Sequence, residues 1–196
     1  MRGFGESGLI PFAYSLDDYV NEVKGLLDKL SVKKYDLIAH SFGGRIALKL
    51  ATLDKRLDKL ILTGCAGLKP KRRLSYYFKV YRYKLLKKFL PESKLTNFGS
   101  ADYVKLSPVM KKSFIKIVNE HLDGILKDIN NKTLIIFGQN DRETPLYFAK
   151  KLKKEIKNST LLIMKDCGHF AFIDNPRVFN LYVNEFLFGD GYEFSN

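Results

Sequence analysis

The sequence predicts an α/β fold built on a parallel sheet, and three observations carry that expectation. Short, mostly apolar runs recur at Tyr35–Ala39, Leu60–Thr63, Thr133–Phe137 and Thr160–Met164. Helical stretches with three- and four-residue apolar spacing separate most of them, as parallel β-α-β units require. The first, third and fourth runs each pass directly into a polar, glycine-containing loop holding a serine, an aspartate or a histidine. In a parallel sheet such loops gather at one edge, where chemistry can be assembled.

Taken in order, Arg2-Gly3-Phe4-Gly5-Glu6-Ser7 reads as a glycine-punctuated turn. Ser15 opens a helix, with Asp18 as its capping partner, and Leu16, Tyr19, Val20, Val23, Leu26, Leu27 and Leu30 form one apolar face. The run Tyr35–Ala39 then meets His40-Ser41-Phe42-Gly43-Gly44, and a helix carries on to about Leu53. A strand, a tight turn and a helix with serine at the apex describe a nucleophile elbow. Ala39 and Gly43, two positions either side of Ser41, are small enough to let strand and helix approach. Ala39 stands where the G-x-S-x-G pattern has its first glycine, so the pattern alone is moderate evidence.

After Leu60–Thr63 the character changes. Residues 67–130 read as a helical insertion, with helical stretches at Leu74–Leu90 and around Lys111–Lys127. The core is then expected in 1–66 and 131–196. Alternation resumes with Thr133–Phe137, the loop Gly138–Pro145, a helix near Leu146–Lys157, Thr160–Met164, the loop Lys165–Phe170, and a last helix from Pro176 to about Leu187. Pro176 suits a first helical turn.

Five segments in this order resemble the α/β-hydrolase family, in particular its single-domain bacterial members with a helical cap between the sixth and seventh strands. They are Arg2–Ser7, His40–Gly44, Gly138–Asp141, Gly168–Phe170 and Asp174–Pro176. The resemblance implies Ser41 as nucleophile, His169 as general base and then acid, and Asp141 as the carboxylate that orients His169. It also implies the backbone N–H of Phe42 as one oxyanion donor. The residues themselves leave alternatives open. Asp166 or Glu143 could be the acid, His169 could be a structural loop histidine, and Cys167 beside it invites thiol chemistry. Cys167 reads instead as a small buried filler, and His40 and His121 as non-catalytic.

In the family, the Arg2–Ser7 type of motif follows the fourth of eight strands. The resemblance therefore implies a sheet of about four remaining strands, an apolar open edge at Tyr35–Ala39, and loss of the loop that gives the second oxyanion N–H. Losing one such donor costs about a hundred- to a thousandfold in rate. An open edge invites pairing with another copy of the chain, and the chain alone is expected to aggregate and to show little esterase activity.

The formal charge is +13, and much of the excess lies at Lys69, Lys71, Arg72, Arg73, Lys79, Arg82, Lys84, Lys87, Lys88 and Lys94, interleaved with Leu74, Tyr77, Phe78, Tyr81, Leu85 and Phe89. The expected arrangement is a cap whose Tyr77, Phe78 and Tyr81 face the pocket while its lysines meet water. Peripheral contact with an anionic membrane is the sharper alternative, and no motif supports nucleic-acid binding. No run of eighteen apolar residues and no leader-like h-region is present, and two cysteines make neither a disulfide framework nor a metal set. A cytoplasmic serine hydrolase acting on a carboxylic ester, with no cofactor or metal, is the expected function. A serine nucleophile argues against the branches of the fold that the resemblance says use aspartate. The competing expectation is a catalytically impaired remnant, or a binding protein that uses the basic cap.

Overall fold

The computed structural model describes residues 1–71 and 106–189. It divides into two compact units, Leu16–Leu68 with Glu120–Asn196, and Met1–Ser15 with Lys69–Asn119.

The first unit is an α/β layer structure. Its elements are α1 (Leu16–Lys29), β1 (Tyr35–His40), α2 (Phe42–Leu53) and β2 (Leu57–Thr63). After a 3₁₀ turn at Asp123–Asp128 follow β3 (Lys132–Gly138), α4 (Leu146–Glu155), β4 (Ser159–Met164), α5 (Ala171–Asp174) and α6 (Pro176–Phe188). The four strands are parallel and lie in the order β1-β2-β3-β4. Their apolar composition follows from burial on both faces. Leu60, Ile61 and Leu62 of β2 and Leu134, Ile135, Ile136 and Phe137 of β3 are fully buried. On one face Ile61, Leu134, Ile136 and Met164 pack with Phe179, Val183 and Phe186 of α6. That helix begins as its sequence demands, with Pro176 in its first turn and the Asn175 side chain accepting the Val178 N–H.

Each β-strand ends within a residue of where its apolar run stops, but the first helix does not follow its apolar pattern throughout. Leu16, Tyr19 and Val20 are buried, whereas Leu26 is 56 % and Leu30 63 % exposed. Among the described residues β1 pairs with β2 alone, and Ile38 is 49 % exposed. The packing partner of α1 is α2, and the exposed leucines lie in and just after its C-terminal half.

The helical stretch expected around Lys111–Lys127 is broken. In the second unit, α3 (Pro108–Asn119) stops at Asn119. In the first, the next backbone groups are taken by other partners: Arg45 Nη1 donates to the Glu120 carbonyl (2.9 Å), and the Leu122 N–H donates to the Gly67 carbonyl (2.8 Å). A helix cannot continue through groups already committed elsewhere.

The second unit, by itself, joins the first fifteen residues to α3. Gly3 has φ +80°, and a Cβ there would lie 2.9 Å from Met110 Sδ, so glycine is required on both counts. Lys116 Nζ donates to the Ala13 carbonyl (3.0 Å). Tyr77, Phe78 and Tyr81, and the basic residues from Arg72 to Lys94, lie outside the described residues.

Candidate active site

All four strands point the same way, so His40, Thr63, Gly138 and Met164 end at one edge of the sheet. Ser41 follows β1 and precedes α2 with φ +49° and ψ −111°, a left-handed conformation that serine rarely adopts, and its side chain does not cap the helix. Such strain costs of order 1–3 kcal/mol and persists where the surroundings impose it. Here they do. The Ser41 N–H donates to the Thr63 carbonyl (3.1 Å), while the Ser41 carbonyl accepts from Gly44 (3.0 Å) and Ala66 (3.1 Å). The close approach that permits the turn belongs to Gly44, where a Cβ would lie 2.5 Å from Cys65 Sγ. Gly43, expected to be the tight position, leaves ordinary contact distance to Ala39 (3.9 Å).

Asp141 and His169 are brought together from the loops after β3 and β4. His169 Nδ1 lies 2.9 Å from Asp141 Oδ2, and the two residues are 8 % and 7 % exposed. An ionised carboxylate only accepts, so Nδ1 carries the proton and Nε2 is left as the basic nitrogen. Asp141 also accepts the backbone N–H groups of Glu143 and Thr144 (both 2.9 Å) and the Thr144 hydroxyl (2.7 Å). Burial pushes the Asp141 carboxyl up, but the hydrogen bonds from His169 and Thr144 outweigh it and hold it below the usual carboxylate range. Thr144 Oγ1 sits 3.3 Å from His169 Nδ1 as well, bridging acid and base. Sequence reading missed Thr144. The Asp-x-x-Thr spacing, in which an aspartate takes the N–H groups two and three residues on, is the signal that could have found it.

The two loops are held by close backbone approach. Asn140 donates to the Cys167 carbonyl and Gln139 to the Met164 carbonyl, both at 2.8 Å. A Cβ on Gly138 would meet the Gly168 carbonyl oxygen at 2.0 Å. Under the imidazole lies Gly64, φ +49°, where a Cβ would come within 3.1 Å of the His169 ring and 3.2 Å of the His40 ring. The His40 and His169 ring centroids are 4.6 Å apart, which sets the imidazole beside the residue preceding Ser41. Phe170 packs against both rings, and Phe172 packs edge-on to that of His40.

The remaining candidates separate clearly. Glu143 Oε2 lies 3.5 Å from His169 Nε2, on a side chain 67 % exposed. Asp166 is exposed and sits at φ +58° in the loop after β4. Cys167 is 3 % exposed within the apolar cluster, and burial pushes its thiol up, away from the thiolate that chemistry would need. Phe42 is the first residue of α2, with its ring edge-on to Tyr19. Among the described residues no group of three or more His, Cys, Asp or Glu side chains is placed to hold a metal ion.

The alpha/beta hydrolase family model matches residues 1–180. The chain belongs to that family. Among curated relatives, it is 30 % identical to a 2-hydroxymuconate semialdehyde hydrolase of Pseudomonas sp. strain CF600, over 95 % of this chain and 74 % of that protein. It is 27 % identical to a 2-hydroxy-6-oxo-2,4-heptadienoate hydrolase of Pseudomonas putida F1, over 89 % and 71 %. Among solved structures, a meta-cleavage product hydrolase from Pseudomonas fluorescens superposes with a TM-score of 0.69 at 26 % identity, covering 95 % of this chain and 76 % of that one. An esterase from Exiguobacterium antarcticum does so with a TM-score of 0.69 at 25 % identity, covering 94 % and 78 %. The parallel four-strand sheet with flanking helices is the alpha/beta hydrolase fold seen in these relatives.

Proposed function

We propose that the protein is a serine hydrolase working through an acyl-enzyme on Ser41. The observation that carries this reading is the buried Asp141–His169 hydrogen bond beside a strained serine elbow. A hydroxyl is a poor nucleophile until a neighbouring imidazole takes its proton, and Asp141 fixes the tautomer that leaves Nε2 free to do so. As Ser41 Oγ bonds to the substrate carbonyl carbon, its proton passes to His169 Nε2. The carbonyl oxygen becomes an oxyanion facing the N-terminus of α2, with the Phe42 N–H as donor. Collapse of this intermediate expels the leaving group, which takes the proton from Nε2. Water then repeats the sequence on the acyl-enzyme and releases the acid and free Ser41.

A carboxylic ester is the substrate class that asks least of this machinery, since the leaving alkoxide needs one proton and nothing more. The similarity to an esterase supports it. Carbon–carbon bond hydrolysis is the second reading, favoured by the relatives named as dienoate, semialdehyde and meta-cleavage product hydrolases. A fluorophosphonate probe should label Ser41, and His169→Ala should reduce labelling at least a hundredfold, the scale of general-base catalysis. Labelling that survives the change removes the catalytic reading. Parallel assays on a p-nitrophenyl ester and on a 2-hydroxy-6-oxo-dienoate decide the bond: faster turnover of the dienoate replaces ester with carbon–carbon hydrolysis.

A further inference from the structure

We infer that Glu143 sets the charge preference of this site, disfavouring substrates that carry a carboxylate near the scissile carbonyl and favouring neutral or cationic ones. The inference rests on the serine hydrolase reading above. Asp141 occupies Nδ1 of His169 at 2.9 Å, so Nε2 is the nitrogen that meets the reactants. Glu143 Oε2 stands 3.5 Å from that same Nε2. Its backbone is fixed, because the Glu143 N–H donates to Asp141 Oδ1 (2.9 Å), while its carboxylate is two-thirds exposed and faces the approach to the imidazole. The Asp141 charge is different in kind, being buried and accepting four hydrogen bonds from His169, Thr144 and Glu143.

A carbonyl attacked by Ser41 must come within a bond length of Oγ and close to Nε2. A substrate carboxylate two to four bonds from that carbonyl would therefore stand about 5–8 Å from Glu143. Two like charges at that separation, in a partly solvated setting, repel by enough to change a rate about three- to tenfold. A glutamate beside the reacting nitrogen would oppose carboxylate-bearing substrates here, and discrimination of this kind is a difference between two affinities rather than a loss of both.

The test compares two fluorophosphonate probes of equal length, one ending in a carboxylate and one in the neutral amide, by their second-order rates of labelling Ser41. Wild type should react three- to tenfold more slowly with the anionic probe than Glu143→Gln does, relative to the neutral probe in each case. Glu143→Lys should move the ratio further in the same direction. Raising salt to 0.5 M should shrink the difference, because screening acts on exposed charges. An anionic-to-neutral ratio that is unchanged in both variants overturns the inference while leaving the hydrolase reading intact. Absence of labelling by either probe overturns both.

Discussion

His40 has two unequal nitrogens. Nδ1 donates to the Thr63 carbonyl at 3.1 Å, and Nε2 is buried with no hydrogen-bond partner among the described residues. Adding a proton to Nε2 would place a charge where nothing accepts it. Burial first, and the neighbouring His169 second, hold the His40 pKa below its ordinary value of 6.5. The folded state therefore binds fewer protons than the unfolded chain below about pH 6.5, so stability is complete above that pH and falls as pH drops through the lowered folded value. Urea midpoints should hold above about pH 6.5 and decline as pH falls below it, and His40→Gln, neutral throughout, should flatten part of that decline. An identical decline in the variant would show that the dependence arises elsewhere.

Between elements, the positions that matter most are those where backbone meets backbone. Gly138 ends β3 against the carbonyls of Cys167 and Gly168, where a methyl group has no room. Gly138→Ala should cost more than the about 1–3 kcal/mol usual for overpacking, because the obstacle is main chain and not a side chain that can rotate. It should also pull Asp141 away from His169. Thermal melts and Ser41 labelling, measured together, check this, and a variant with normal stability and labelling would show that the two loops can part without harm. This is also where reading the sequence reached its limit. Ser41, Asp141 and His169 were legible because each closely follows an apolar run, which parallel pairing brings to one edge. Thr144, Gly64 and the Arg45 bond that ends a helix at Asn119 were not. Their roles depend on which loop lies across from them, and a local period of two or 3.6 residues holds no record of that.

At the scale of the molecule, β1 pairs on one side only among the described residues and leaves Ile38 exposed, while Leu26 and Leu30 at the end of α1 are exposed as well. Exposed apolar edges are templates for further strands. We propose that the chain self-associates through this edge. Sedimentation should show concentration-dependent oligomers that bind hydrophobic dyes, and Ile38→Lys, which puts a charge on the strand, should shift them toward monomer. A wild-type chain that stays monomeric and dye-free at tens of micromolar would exclude the edge as an interface. The far side of the same sheet has a separate meaning. Its strands lie side by side in the order in which the chain is synthesised, so each one leaving the ribosome finds its predecessor already exposed and never has to wedge between two partners. Ser41 is thus translated before Asp141 and His169, and the site is complete only once the last strand has paired.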